Sequence, residues 1–309
     1  MTPQPETGPP PSAPPETDED LPAYWAALGL PGIVDVHVHL MPDRLQEKVW
    51  AYFDAAGPLL GRPWPVRYRH DMSERLSRLR AMGVRAFTGL LYPHKPGMAA
   101  GLNQWAAEFA AETPGVLHTA TFHPEPEAAG YVREAIEAGA RVFKAHVQVG
   151  GYDPRDPLLD PVWGMLAESG VPVVVHAGGG PVPTAFTGPG PFGEVLARHP
   201  RLLAIVAHLG MPEADGFLDL AERHPAMRLD VSGVFTDFNR DTWPYPRERR
   251  HRLRDLGARI LFGSDYPTIP YSYAHQVAVL AELDLGEDWL RAVLWSNAVA
   301  LWPDLLDGA

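Results

Sequence analysis

The 309-residue sequence contains no cysteine. Disulfides and thiolate metal sites are therefore excluded, and a reducing cytoplasm is the expected compartment. Lysine is nearly as scarce, with Lys48, Lys95 and Lys144 the only three, and arginine supplies the other basic side chains. Against 26 basic residues stand 38 acidic ones, a formal net charge of −12. Nucleic acid needs a basic face, so this balance argues against such a partner and equally against an anionic membrane surface. No apolar run approaches the ~18 residues of a membrane helix. The N-terminus lacks a basic stretch leading into an apolar one, so no secretory signal is read there. There is no G-x-S-x-G stretch either, which leaves no sign of a serine or cysteine nucleophile. A small-molecule substrate is the expected partner.

Residues 1–20, MTPQPETGPPPSAPPETDED, hold seven prolines, five acids and almost no large apolar side chain. Such a stretch cannot bury enough surface to offset its chain entropy. It is expected to be a disordered acidic tail whose removal changes neither stability nor turnover. Residues 21–309 read as one domain. Short β-branched runs (IVDVHVH, VRAFTGLL, VLHTATF, ARVFKAHV, VPVVVHAG, LLAIVAHLG, MRLDVSG, ARILFGSDY) alternate with segments of helical period such as MSERLSRLRAMG and AAGYVREAIEAGA. Each helical segment closes on Gly or Pro. Eight strand–helix units with near-continuous apolar strands predict an α/β fold, a (β/α)8 TIM barrel. A doubly wound open sheet usually carries a glycine-rich first turn, and here that turn, HLMPDR, has no glycine. Residues 41–71 lie between the first strand and its helix. They are rich in Trp, Tyr, Phe and Pro and are expected to form a lid-like loop insertion.

Active sites of parallel barrels form where strands end. The polar residues there are His37 and His39 on the first strand, Lys144 and His146 on the fourth, and His176 on the fifth. His208 follows on the sixth, Asp230 and Ser232 on the seventh, and Asp265 on the eighth. Residues two apart on a strand face the same way, so His37 and His39 both point inward if either does, as do Lys144 and His146. A lone histidine at a strand end is more often a satisfied polar residue than a ligand. An H-x-H pair joined by two more strand-end histidines and an aspartate suits a divalent ion such as Zn²⁺. Asp35, one layer deeper, is expected either to orient a ligand histidine or to serve as an interior hydrogen-bond acceptor. Arg62, Arg67 and Arg69 are candidates for gripping a substrate carboxylate. His94 and His123, in loops on the same face, are candidates for substrate contact.

The set DVHVH, VVVHAG, IVAHLG and LFGSDYP, in that order, resembles the amidohydrolase superfamily, and within it the branch that contains aminocarboxymuconate-semialdehyde decarboxylase. The similarity runs from about Ile33 to Trp302. Carried over position by position, it implies metal ligation by His37, His39, His176 and Asp265, with His208 and Asp265 as the catalytic pair. It implies one divalent ion, Zn²⁺ by preference. Two-metal members bridge their ions with a carboxylated lysine, the place Lys144 would take. The K-x-H form of FKAH looks more like the single-metal branch, where Lys144 and His146 would instead contact substrate. The implied reaction is hydrolysis of an amide, lactone or ester of a small organic acid by metal-activated water. The alternative is non-oxidative decarboxylation of an unsaturated or aromatic acid, which needs a cationic anchor such as Lys144 or a loop arginine. A homodimer is compatible with the resemblance.

Overall fold

A computed structural model describes residues 13–306 of the chain. Its strands are β1 (Ile33–Asp35), β2 (Val84–Thr88), β3 (Val116–Leu117), β4 (Thr119–Thr121), β5 (Val142–His146), β6 (Val173–His176), β7 (Ala204–Val206), β8 (Arg228–Asp230) and β9 (Ile260–Leu261). They lie side by side in chain order, β1-β2-β3 and then β4 through β9, and every pairing is parallel. Because β3 and β4 are halves of one strand interrupted at His118, the nine segments amount to the eight strands expected.

The last strand returns to the first. The Val36 amide donates to the Phe262 carbonyl at 3.0 Å, the Asp265 amide to the His37 carbonyl at 2.7 Å, and the His39 amide to the Tyr266 carbonyl at 2.7 Å. A single parallel bridge joins Val38 to Tyr266. The barrel is thus closed, and the seam runs through the two histidines of the opening motif. His37 and His39 lie just past the regular ladder of β1, which ends at Asp35. Gly263 makes this seam possible, since a Cβ there would sit 2.7 Å from the Cβ of His37.

Parallel pairing requires crossovers, and the periodic segments supply them as outer helices. Ala214–Arg223 shows the logic, burying Phe217, Leu218, Leu220 and Ala221 against the sheet. Met72–Ala81 starts where the Asp71 carboxylate accepts the Glu74 amide at 2.8 Å. Asp160–Ser169 stops where Gly170 turns left-handed at φ 70°, a conformation that costs glycine little. Among the described residues no helix is long and apolar enough to cross a membrane.

Two expectations need correction. The segment 41–71 is not a loop, because it contains the helices Asp43–Ala55 and Gly57–Leu60. Leu45, Val49, Tyr52 and Phe53 recur at helical spacing and face the barrel mouth, a signal that the proline and aromatic content around it obscured. The unstructured tail is also shorter than 1–20; residues 1–12 lie outside the described residues, but Asp18–Asp20 form a turn of 3-10 helix. The Asp18 carboxylate accepts the Tyr68 hydroxyl and, at 2.9 Å, the Ala274 amide, tying the N-terminal segment to the first turn of Tyr273–Ala281.

Hydrogen bonds to a charged acceptor of this kind contribute roughly 1.5–3 kcal/mol. Asp18→Ala is therefore expected to lower unfolding stability by about 2 kcal/mol, read as a shifted urea midpoint at constant slope.

Candidate metal centre

The hydrogen bonds made by each imidazole fix which nitrogen carries the proton, and this determines what the site can bind. His37 Nδ1 lies 2.8 Å from Asp230 Oδ2, so its hydrogen sits there and Nε2 is bare. His39 Nδ1 donates to the Leu90 carbonyl at 3.0 Å, which leaves its Nε2 bare as well. The two bare nitrogens are 3.2 Å apart. Asp265 Oδ1 stands 3.0 Å from His39 Nε2 and 3.6 Å from His37 Nε2. Two lone pairs and a carboxylate oxygen therefore converge on one small volume with no hydrogen between them. A cation resolves that arrangement, and imidazole nitrogen with carboxylate oxygen is the donor set of a divalent ion such as zinc.

The electrostatics favour these protonation states. Burial, followed by the charge of Lys144, pushes the His37 imidazole down to about 3 in spite of Asp230, so the ring is neutral as a ligand must be. Burial also drives His146 and His176 well below the ordinary histidine range. For Asp230 and Asp265 burial alone would raise the carboxyl. For Asp230 the hydrogen bond of His37, followed by His208 and Ser232, outweighs that effect. For Asp265 the adjoining His39, His37 and His208 rings do so. Both carboxylates are held below the usual range.

A second group joins His208. Its Nδ1 donates to the Ser232 carbonyl at 2.9 Å and lies 2.8 Å from Ser232 Oγ, and the Ser232 hydroxyl in turn donates to Asp230 Oδ1. His208 therefore keeps a bare Nε2. His37, His208 and Asp230 also come close enough to hold an ion, but His37 Nδ1 is engaged by Asp230 and His208 Nδ1 by Ser232, and this group orients the first. His208 and Asp265 both have left-handed backbones, at φ 56° and 66°. Strain of this kind in residues other than glycine concentrates at functional sites.

The remaining predicted residues fall into place around this centre. His176 stands outside the three-residue convergence. Its Nε2 donates to the Gly180 carbonyl at 2.7 Å, and its ring stacks on His146 with centroids 4.1 Å apart. Lys144 is wholly buried, with Nζ 3.4 Å from His37 Nε2, and burial outweighs the two nearby aspartates to bring it down to about 8. Its ammonium therefore stands beside the three converging groups. Asp35 does not orient a histidine ring. It accepts the His37 and Ser264 amides and the Tyr273 hydroxyl, while burial first of all raises it to about 6. Asp230, two residues before Ser232, does the orienting instead. The arginines do not reach the cavity: Arg62 donates to the Phe238 carbonyl and Asn239 Oδ1, and Arg69 pairs with Asp54. His94 lines the cavity, whereas His123 points its Nε2 at the Gly150 carbonyl, 3.3 Å away.

Sequence reasoning missed Tyr92. Its ring packs edge-on to His39 at 5.4 Å and against His146 at 4.7 Å. Burial and the Asp265 charge raise its phenol, so it remains a hydrogen-bond donor. Its place just after the second strand, in LLYPH, was the available signal.

Above the centre opens a cavity of about 580 Å³ that includes His37, His39, His146, His176, His208 and Asp265 in its lining. No curated protein is similar to the chain in sequence. A solved structure of an uncharacterized TIM-barrel protein from Bordetella bronchiseptica superposes with a TM-score of 0.69 at 19% identity, covering 89% of this chain and 99% of that one. The 5-carboxyvanillate decarboxylase of Sphingomonas paucimobilis gives 0.63 at 16% identity over 88% and 99%. A probable 2-pyrone-4,6-dicarboxylic acid hydrolase from Acinetobacter baumannii gives 0.60 at 13% identity over 88% and 99%. At these identities the likeness is one of fold. The family model described as amidohydrolase matches residues 34–303, nearly the whole described chain. The chain belongs to the amidohydrolase family.

Proposed function

We propose that this protein is a metal-dependent hydrolase of a small-molecule amide, lactone or ester. The observation that carries the proposal is the meeting of His37 Nε2, His39 Nε2 and Asp265 Oδ1 within 3.0–3.6 Å of one another. A divalent ion held by these three, zinc by preference, would supply Lewis acidity that polarises a substrate carbonyl and acidifies a water.

The chain's own groups account for the proton. Asp265, held ionised, accepts the proton of the attacking water and passes it to the leaving group. His208, with its hydrogen committed to Ser232, offers a bare Nε2 that accepts a hydrogen bond from that water and aims its lone pair. The developing oxyanion needs donors instead, and two groups supply them. Tyr92 keeps its hydroxyl hydrogen. His146 accepts the Val149 amide on Nδ1 at 3.3 Å, which places its own hydrogen on Nε2.

Decarboxylation was the alternative, and the neighbours by fold include both a decarboxylase and a probable hydrolase. That alternative needs a cationic anchor for the acid. Among the described residues no guanidinium lines the cavity, and its one ammonium, Lys48, is exposed at the rim.

Metal analysis of the purified protein is expected to find about one divalent ion per chain, and two ions would bring Lys144 into the ligand set. Asp265→Asn should cut turnover by about 10²- to 10⁴-fold with circular dichroism unchanged. Full activity in that variant would remove Asp265 from the proton path. Asp230→Asn, which frees the His37 ring from its fixed tautomer, is expected to weaken metal affinity roughly 10- to 100-fold, measured by competition with a chromophoric chelator.

A further inference from the structure

We infer that the part of the substrate that does not react is an uncharged, apolar acyl or aryl group housed in the cavity above the metal centre. This inference deepens the hydrolytic reading and rests on it for the position of the scissile bond.

The cavity's size, about 580 Å³, falls within the roughly 300–1,000 Å³ usual for small-molecule sites. One wall is aromatic. Phe53 lies 5.1 Å from Trp64, and Phe238 backs Trp64 edge-on at 4.8 Å, ring centre to ring centre. The indole nitrogen of Trp64 donates to the Thr268 carbonyl at 2.9 Å, so its polar atom is spent and only carbon faces the cavity. Arg62 lies over Phe238 at 3.7 Å and bonds behind the wall. Trp243, Val182 and Met211 contribute further apolar surface.

Charge agrees with shape. Lys48 is the one ammonium or guanidinium group among the described lining residues, and it is exposed at the rim. A carboxylate seated among the apolar walls, away from the metal centre, would lose its hydration and find no ammonium or guanidinium beside it, a costly exchange. A methylene in the same place gains from leaving water.

The rim points the same way. Tyr52, Leu59 and Val149 are 49%, 59% and 41% exposed, and all three belong to the cavity lining. The described chain exposes only one other large hydrophobic side chain to this degree, Leu158. Apolar surface gathered around one opening marks a binding site rather than random exposure.

The test uses the full-length zinc-loaded protein and p-nitrophenyl esters from acetate to octanoate, with ω-carboxylated esters of matching length. We expect kcat/KM to rise about three- to fourfold per added methylene up to hexanoate, and the carboxylated esters to fall at least tenfold below their neutral counterparts. Leu59→Lys should narrow that gap by slowing the long neutral esters and favouring the carboxylated ones. A flat length dependence, or equal turnover of the carboxylated series, overturns the inference. The same preference is read without catalysis by tryptophan fluorescence, with hexanamide expected to bind at least tenfold more tightly than adipate. The reverse order overturns the inference even if esters are cleaved. If no ester turns over while hexanamide still binds in the expected order, it is the hydrolytic reading that fails and the apolar cavity assignment that stands.

Discussion

Asp230 accepts the Nδ1 hydrogen of His37 at 2.8 Å, and the chemistry of the site depends on that bond. The bond turns a bare nitrogen toward His39 and Asp265 and so creates the convergence of acceptors that a metal ion satisfies. The other oxygen of Asp230 accepts the His208 and Ser232 amides and the Ser232 hydroxyl. One buried carboxylate thereby fixes the His37 ring, a turn of backbone and, through Ser232, the His208 ring. Buried charge is tolerated only when fully hydrogen-bonded, and Asp230 meets that condition on every side.

The same logic explains the strained backbone at His208 and Asp265. A left-handed conformation costs a non-glycine residue of order 1 kcal/mol or more, and these two positions carry it because their side chains must leave the strand ends at angles a regular strand does not offer. The barrel over-determines them. Asp265 is pinned by its amide to the His37 carbonyl, and His208 by its amide to Asp230. Closure of the sheet and assembly of the site are therefore one event, since the seam hydrogen bonds between the first and last strands run between the residues that converge on the metal position.

The helix Asp43–Ala55 and the segment after it set the character of the space above. They bring Phe53 and Trp64 over the centre while their polar groups face away, so a charged floor meets an apolar chamber. Electrostatic contacts at the floor gain strength from this exclusion of water, and selection of the substrate falls to the walls.

Periodicity and strand-end chemistry made most of the fold legible. Eight apolar runs alternating with helical segments allow few packings other than a closed parallel barrel, and H-x-H with strand-end His and Asp marked the residues of its mouth. The pattern could not show that Asp230 rather than Asp35 orients His37, because both end strands at equivalent layers and only the three-dimensional register decides which oxygen reaches the ring. Nor could it set Lys144 beside His37 or tie Arg62 to partners away from the cavity. Those outcomes depend on contacts between residues more than a hundred positions apart in the chain, which no local spacing encodes. Sequence by itself determined the barrel and the polar residues at its mouth; tertiary structure decided each tautomer, each orientation and the apolar character of the chamber, because hydrogen-bond partners and burial are properties of neighbours in space.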